Sequence, residues 1–288
     1  MFSFFKNRRR KRLRLAGIPC SWRAIVAHNV PMAATLTPSE RDELFRILAV
    51  FLAEKEFEGA GGLEVTEEIR VTIAAQACML LIGRNDDYFS ETKRIVVYPE
   101  PYVGRGQRQV GAGMVVETAE PRLGESWGSG TVVLAWSRAR HDARTPSDGH
   151  NLVLHEFAHQ LDEENGEADG APALESGRMF APWAAAMLPA YEALVASSRT
   201  GVPSVLDAYG ATNPAEFFAV ATETFFERPQ LLRDRLPALY AQLQGFYRQD
   251  PAARHAPPPP VHQPRRRHPR RRVADRPHVV PPSSPPEI

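Results

Sequence analysis

The stretch Leu152-Val153-Leu154-His155-Glu156-Phe157-Ala158-His159 constrains this chain more than any other. On a helix, residues four apart lie on one face, so His155 and His159 can aim both imidazoles at one cation. Glu156 sits one step round, within reach of a water on that cation but not placed as a ligand. Two nitrogen donors, an open position and a carboxylate base are the pattern of zinc-assisted hydrolysis. In a chain of this size the string arises by chance on the order of a few per cent of the time, so the letters alone do not decide. The flanks do more. Val153, Leu154, Phe157, Ala158 and Leu161 surround the polar trio with apolar groups. That argues against a solvent-facing helix, and a buried His-His-Glu group needs partners or a metal.

A catalytic zinc site usually takes a third protein ligand. The best region for it runs from Asp207 to Glu227. Asn213-Pro214 reads as a helix start, with Asn as N-cap and Pro in the first turn. Phe217, Phe218, Val220, Ala221, Phe225 and Phe226 make the following helix strongly apolar. Glu216 and Glu223, seven apart, share one of its faces and want a positive partner. On the residues alone Glu216 ranks only slightly above Glu223, because a glutamate three past the cap can instead close a capping box. Tyr209 on the same grounds is equally an active-site phenol or a half-buried tyrosine before a helix. Asp162, seven after His155, can orient a ligand imidazole or simply end its helix before the Asn165-Gly166 turn. Glu223 is open to the same orienting role.

His155-Glu-Phe-Ala-His159-Gln-Leu-Asp162 and the run from Tyr209 to Phe226 together resemble the Mlc titration factor A family of bacterial zinc metallopeptidases. Ile95-Val96-Val97-Tyr98-Pro99, Gly124-Glu125-Ser126-Trp127 and Val132-Val133-Leu134-Ala135-Trp136 resemble it too, and the likeness spans roughly residues 20–253. It implies an α+β, zincin-like metallopeptidase domain, mostly helical, with a small mixed β-sheet over the active-site helix. It implies a gluzincin-type site holding one Zn2+ on His155, His159 and Glu216, with Glu156 as general base. Tyr209 falls where peptidases of the lethal-factor type, distantly similar, carry an active-site tyrosine. Aminopeptidase-like activity on short peptides is implied, with a Mlc-type repressor of sugar-uptake genes as partner. The alternative is a non-catalytic regulatory protein that sequesters a transcription factor; the presence of Glu156, all three ligands and Tyr209 favours the enzyme.

Charge is unevenly spread. Residues 1–14 hold seven basic groups and no acid, and residues 254–288 hold eight Arg against Asp275 and Glu287. Between them stand 20 basic and 32 acidic groups, a formal charge of −12. An acidic body argues against nucleic acid as the partner of the folded domain. Cys20 and Cys78 suggest no disulfide framework, which fits a reducing cytoplasm. No apolar run approaches a membrane span, and the basic start lacks the apolar core of a secretory signal. That start touches an anionic membrane surface weakly at most, and reads as a solvated tail.

The expected organisation is a basic disordered segment at 1–19, a metallopeptidase domain at 20–253 and a Pro/Arg-rich disordered tail at 254–288. Within the domain, 37–83 reads as helical, 94–136 as the sheet part and 150–247 as the metal-site helices. Strands are expected at 95–98, 113–117 and 131–136, with turns at 111–113 and 128–130. One helix is expected to run to the glycines at 59–62, another to break at Pro189, and a last one to span 230–247. A sheet edge near the site would pair with extended substrate.

Overall fold

Helices begin on side-chain caps at Thr37, Thr66, Asn151 and Asn213. The computed structural model describes residues 2–84, 88–110, 114–122, 124–127 and 130–254, the side chains of 2–4 and 102–129 excepted. In chain order α1 (Phe2–Leu15), α2 (Cys20–Asn29) and α3 (Pro38–Glu54) lead into β1 (Glu56–Gly59) and α4 (Glu67–Met79). The strands β2 (Arg94–Tyr98), β3 (Tyr102–Val110), β4 (Met114–Arg122), β5 (Gly124–Trp127) and β6 (Thr131–Ala135) follow. Then come α5 (Trp136–Arg144), α6 (Leu152–Asp162), α7 (Phe180–Thr200), α8 (Pro214–Glu227), α9 (Pro229–Arg235), α10 (Pro237–Tyr247) and α11 (Pro251–Arg254). Thr37 closes a full capping box with Glu40 at the start of α3, and Thr66 caps α4.

The main sheet has the order β1-β2-β6-β5. Its first three strands are parallel, and β5 lies antiparallel to β6 at the edge. Ile95 pairs with Val132 and Val97 with Leu134, all four fully buried, so this face is covered by helices. Helix α6 lies beside β5 and β6, and so beneath the sheet edge. The β3–β4 hairpin forms a separate two-stranded ribbon. The mixed sheet and helical majority agree with an α+β metallopeptidase domain.

Two sets of aromatic contacts hold the metal-site helices. Phe157 of α6 packs 4.9 Å from Phe89 and 5.7 Å from Phe51 of α3, ring centre to ring centre. On α8, Phe218 meets Trp183 of α7 and Phe246 of α10 at 5.9 and 5.8 Å. One turn or more further, Phe225 and Phe226 meet Tyr247 at 5.6 and 5.1 Å. Phe157 is fully buried. Phe157→Ala is therefore expected to lower unfolding stability by about 3–5 kcal/mol, read by urea titration; a loss near zero would mean that this contact does not hold α6.

Several expectations need correction. Residues 2–15 are helical rather than disordered. The inward side of the basic run is held by charge rather than by apolar packing, because α3 supplies carboxylates: Arg10 forms a two-pronged pair with Glu54 (2.8 and 2.6 Å), and Arg14 pairs with Glu43 (2.7 Å). Residues 56–59 form a strand where a helix end was expected, because the chain there pairs with β2. Pro189 does not break α7. It removes one hydrogen bond on the exposed side of the helix, where water can satisfy the freed carbonyl. The last expected helix is two, α9 and α10, since Pro237 drives Leu236 out of helical geometry to φ −133° and ψ 61°. Pro251 and Ala252 are buried near the end of the expected domain, and Arg254, the first residue of the expected tail, pairs with Glu40. Residues 255–288, the expected tail, and the turns at 111–113 and 128–129 lie outside the described residues. Both cysteines are free.

Among the described residues one helix, Gly177–Thr200, is long and apolar enough to cross a membrane by length and composition. Its Trp183, Met187 and Leu194 pack into the protein core, and 28% of its most apolar stretch is buried.

Candidate metal centre

Local chemistry starts both site helices. Asn151 caps α6, its Oδ1 accepting from the Leu154 N–H at 3.0 Å, and Asp142 of α5 accepts from the Leu152 N–H at 3.0 Å. Asn213 caps α8, its Oδ1 accepting from the Glu216 N–H at 2.9 Å, with Pro214 in the first turn. The backbone of Glu216 is thus satisfied by the cap, and its side chain is free to reach across to α6.

It does so. Glu216 Oε2 stands 3.0 Å from His155 Nε2 and 3.5 Å from His159 Nε2, and the two imidazole nitrogens are 3.2 Å apart. The three side chains are only 13, 14 and 17 % exposed. Tetrahedral zinc with bonds of about 2.0 Å has neighbouring ligand atoms roughly 3.3 Å apart, so this donor set fits one metal ion. The capping-box role for the Glu216 side chain is set aside by the same distances.

The protonation pattern points the same way. Glu223 Oε1 lies 2.7 Å from His155 Nδ1 and accepts its proton. In the neutral ring that leaves a bare lone pair on Nε2, facing a carboxylate and a second imidazole. A proton on Nε2 shared with Glu216, or a metal ion held by all three donors, relieves that contact, and the spacing of the three fits the metal. Burial by itself would lower the His155 pKa, but hydrogen bonding to Glu216 and Glu223 pushes it up to about 10. Burial likewise raises Glu216, and the two histidines outweigh it and bring it down to about 2. Both shifts register a site short of positive charge.

Glu156 is 5 % exposed on the same helix. Burial pushes it up to about 7, the two imidazoles pull against that, and Glu216 and Glu223 add to it. A carboxyl poised near neutrality suits a general base. Tyr209 sits in a short 3-10 turn, Ala208–Ala211, whose cap Asp207 accepts from the Tyr209 N–H at 2.8 Å. Its ring centre is 5.9 Å from that of His155, and it is 55 % exposed, so it borders the mouth of the site. Gly210 lets this turn close on α7 and α8, since a Cβ there would meet Leu194 at 3.1 Å and Val220 at 3.2 Å.

The two helpers proposed from sequence part company. Glu223 orients His155, and its other oxygen accepts from the Asn151 N–H, so one carboxylate ties a ligand to the helix start. Asp162 does not serve an imidazole in this way: its Oδ2 accepts from the Gly170 N–H at 2.9 Å. Gly170 lies against the Pro214 carbonyl, which a Cβ would approach to 2.4 Å. Asp162 therefore sets the loop that backs the start of α8. Sequence reasoning missed Asn151 and Glu227. Glu227 accepts from Asn151 Nδ2 at 3.1 Å and from the Gly149 N–H at 3.2 Å, and burial pushes its pKa up to about 9. Its position four after Glu223, on the same face, was the available signal.

A buried two-histidine, one-glutamate group with an adjacent carboxylate, beneath a sheet edge, is the donor arrangement of a metallopeptidase. The family model described as glucose-regulated metallo-peptidase M90 matches residues 5–248, and the chain belongs to that family. Mlc titration factor A of Klebsiella pneumoniae subsp. pneumoniae is 35% identical over 232 residues, 78% of this chain and 85% of the relative. The Yersinia pestis protein of the same name is 34% identical over 233 residues, 79% and 84% of the two chains. An uncharacterized protein of Synechocystis sp. is 37% identical over 244 residues, 84% and 89%.

Proposed function

We propose that this protein is a zinc peptidase of aminopeptidase-like specificity. The observation that carries the reading is the convergence of His155 Nε2, His159 Nε2 and Glu216 Oε2 within 4.8 Å of one another, beside buried Glu156. Zinc on these three residues supplies an acidified water and a Lewis acid for the scissile carbonyl. Glu156 takes the proton from the attacking water and returns it to the leaving amine. The Tyr209 hydroxyl donates to the oxyanion, in the manner of the lethal-factor-type sites that this turn resembles. Glu223 keeps His155 in the tautomer that leaves Nε2 open. Extended substrate adds to the outer edge of β5, the end strand of the sheet among the described residues.

Specificity for a free amine has its support in the surplus of carboxylates. A cavity of about 390 Å³ adjoins the Tyr209 turn and is lined by Asp148, His150, Leu194, Val202, Asp207 and Arg228, among others. Asp148 and Asp207 are its carboxylates, beside His150 and Arg228, and an ammonium entering the cavity would meet them. A repressor of the Mlc type is the protein partner of this reading, supported by the names of the Klebsiella and Yersinia relatives. A cytoplasmic location is part of it, supported by the two free thiols.

The direct test is a panel of amino-acid anilides, free and N-acetylated, before and after chelation. Hydrolysis of the free-amine substrates, lost with the metal and restored by zinc, is the expected result. Stoichiometric zinc with no hydrolysis of any substrate would overturn the enzyme in favour of a regulatory binding protein. Two substitutions refine the roles. Tyr209→Phe should lower kcat about a hundredfold with KM little changed, as loss of one oxyanion donor does; a KM effect alone would make it a binding residue. Glu223→Gln should weaken zinc binding by about 10–100-fold in a competition titration, the usual effect of losing a histidine's carboxylate partner. Unchanged affinity would leave Glu223 with only the helix start to hold.

A further inference from the structure

Helix α1 turns two arginines inward and leaves Phe5 and Leu15 outward. Arg10 is 6 % exposed in its pair with Glu54, and Arg14 reaches Glu43 and the Tyr88 hydroxyl, the latter at 2.6 Å. These two, four apart, form the inward face. The opposite side carries Phe5, Arg8, Arg12 and Leu15, spaced three, four and three residues apart on one stripe, with Lys11 beside them. Phe5 is 60 % exposed and Leu15 76 %, and Arg8, Lys11 and Arg12 are exposed too.

In water such a stripe leaves apolar area unburied. At an anionic bilayer the same residues are well matched: Phe and Leu enter the boundary between headgroups and acyl chains, and Arg and Lys meet the phosphates. A second copy of this chain would oppose the stripe with an identical basic one. Single-stranded nucleic acid is served by stacking aromatics along a groove, and Leu15 supplies no such surface. We propose that the outward stripe of α1 docks this protein on an anionic lipid surface, the inward ion pairs fixing the helix to the body.

The test uses the full chain and co-sedimentation with vesicles of phosphatidylcholine alone or with about one-third phosphatidylglycerol. Binding to the anionic vesicles only, weakened by salt, is expected. Arg8→Ala/Lys11→Ala/Arg12→Ala should weaken it about a hundredfold, from three lost cation–lipid contacts. Leu15→Ser should weaken it about tenfold through lost apolar insertion. Neither variant should change the thermal midpoint or hydrolysis of soluble substrates. The proposal is overturned if the anionic vesicles do not bind, or if the triple variant binds undiminished and the Arg-rich residues beyond 254 carry the affinity. Binding of single-stranded RNA without vesicles would overturn it equally.

Discussion

Glu156→Gln should abolish most hydrolysis, by about two to four orders of magnitude in kcat, while zinc content stays at that of the unaltered protein. The reasoning is geometric first. Glu156 follows His155 on α6 and is 5 % exposed, so it stands beside the donor set without joining it. Glutamine has the same shape and still accepts a hydrogen bond, but it cannot take a proton. The substitution thus separates the base from the metal. Kinetics on an anilide together with elemental analysis of the same sample decide the matter. A loss of zinc in step with activity would make Glu156 a ligand, and equal activity in both proteins would remove it from the chemistry.

Glu216→Ala should be the most damaging change to the centre. It deletes the only carboxylate of the three-donor set and leaves two imidazoles facing each other at 3.2 Å. Zinc affinity is expected to fall by more than about a hundredfold, beyond the cost of losing an outer partner such as Glu223. Activity at ordinary zinc levels should drop to background. Dialysis against a chelator of known strength, followed by metal analysis of Glu216→Ala and Glu223→Ala side by side, orders the two. If Glu223→Ala lost its zinc and Glu216→Ala kept it, the ligand assignment on α8 would be reversed.

Near tie though it was, the contest between these two glutamates shows where sequence reading stops. Both lie on one face of α8, and the helical period says no more. Which of them meets the imidazole Nε2 atoms depends on how α8 slides along α6. In the folded protein α8 is seated on α7 and α10 by Trp183, Phe218, Phe246 and Tyr247, and tied to the start of α6 by Glu223 and Glu227 on Asn151. The two roles left open for Asp162 were undecided for the same reason. Its spacing from His155 allowed an orienting bond, but the loop at Gly170 folds back and takes its carboxylate. The strand β1 escaped notice because its pairing partner, β2, lies some forty residues on in the chain.

What the sequence determined by itself was local. The four-residue spacing of His155 and His159, the apolar flank of α6, and the Asn213-Pro214 start of α8 are each written in neighbouring residues, because caps and helical period act within one or two turns. What the tertiary structure alone decided were the meetings across helices: Glu216 beside His155 and His159, Glu223 on His155, Glu227 on Asn151, and α1 held by Glu43 and Glu54. A carboxylate buried beside a partner differs from one in water by what surrounds it, and those surroundings come from residues far away in the chain.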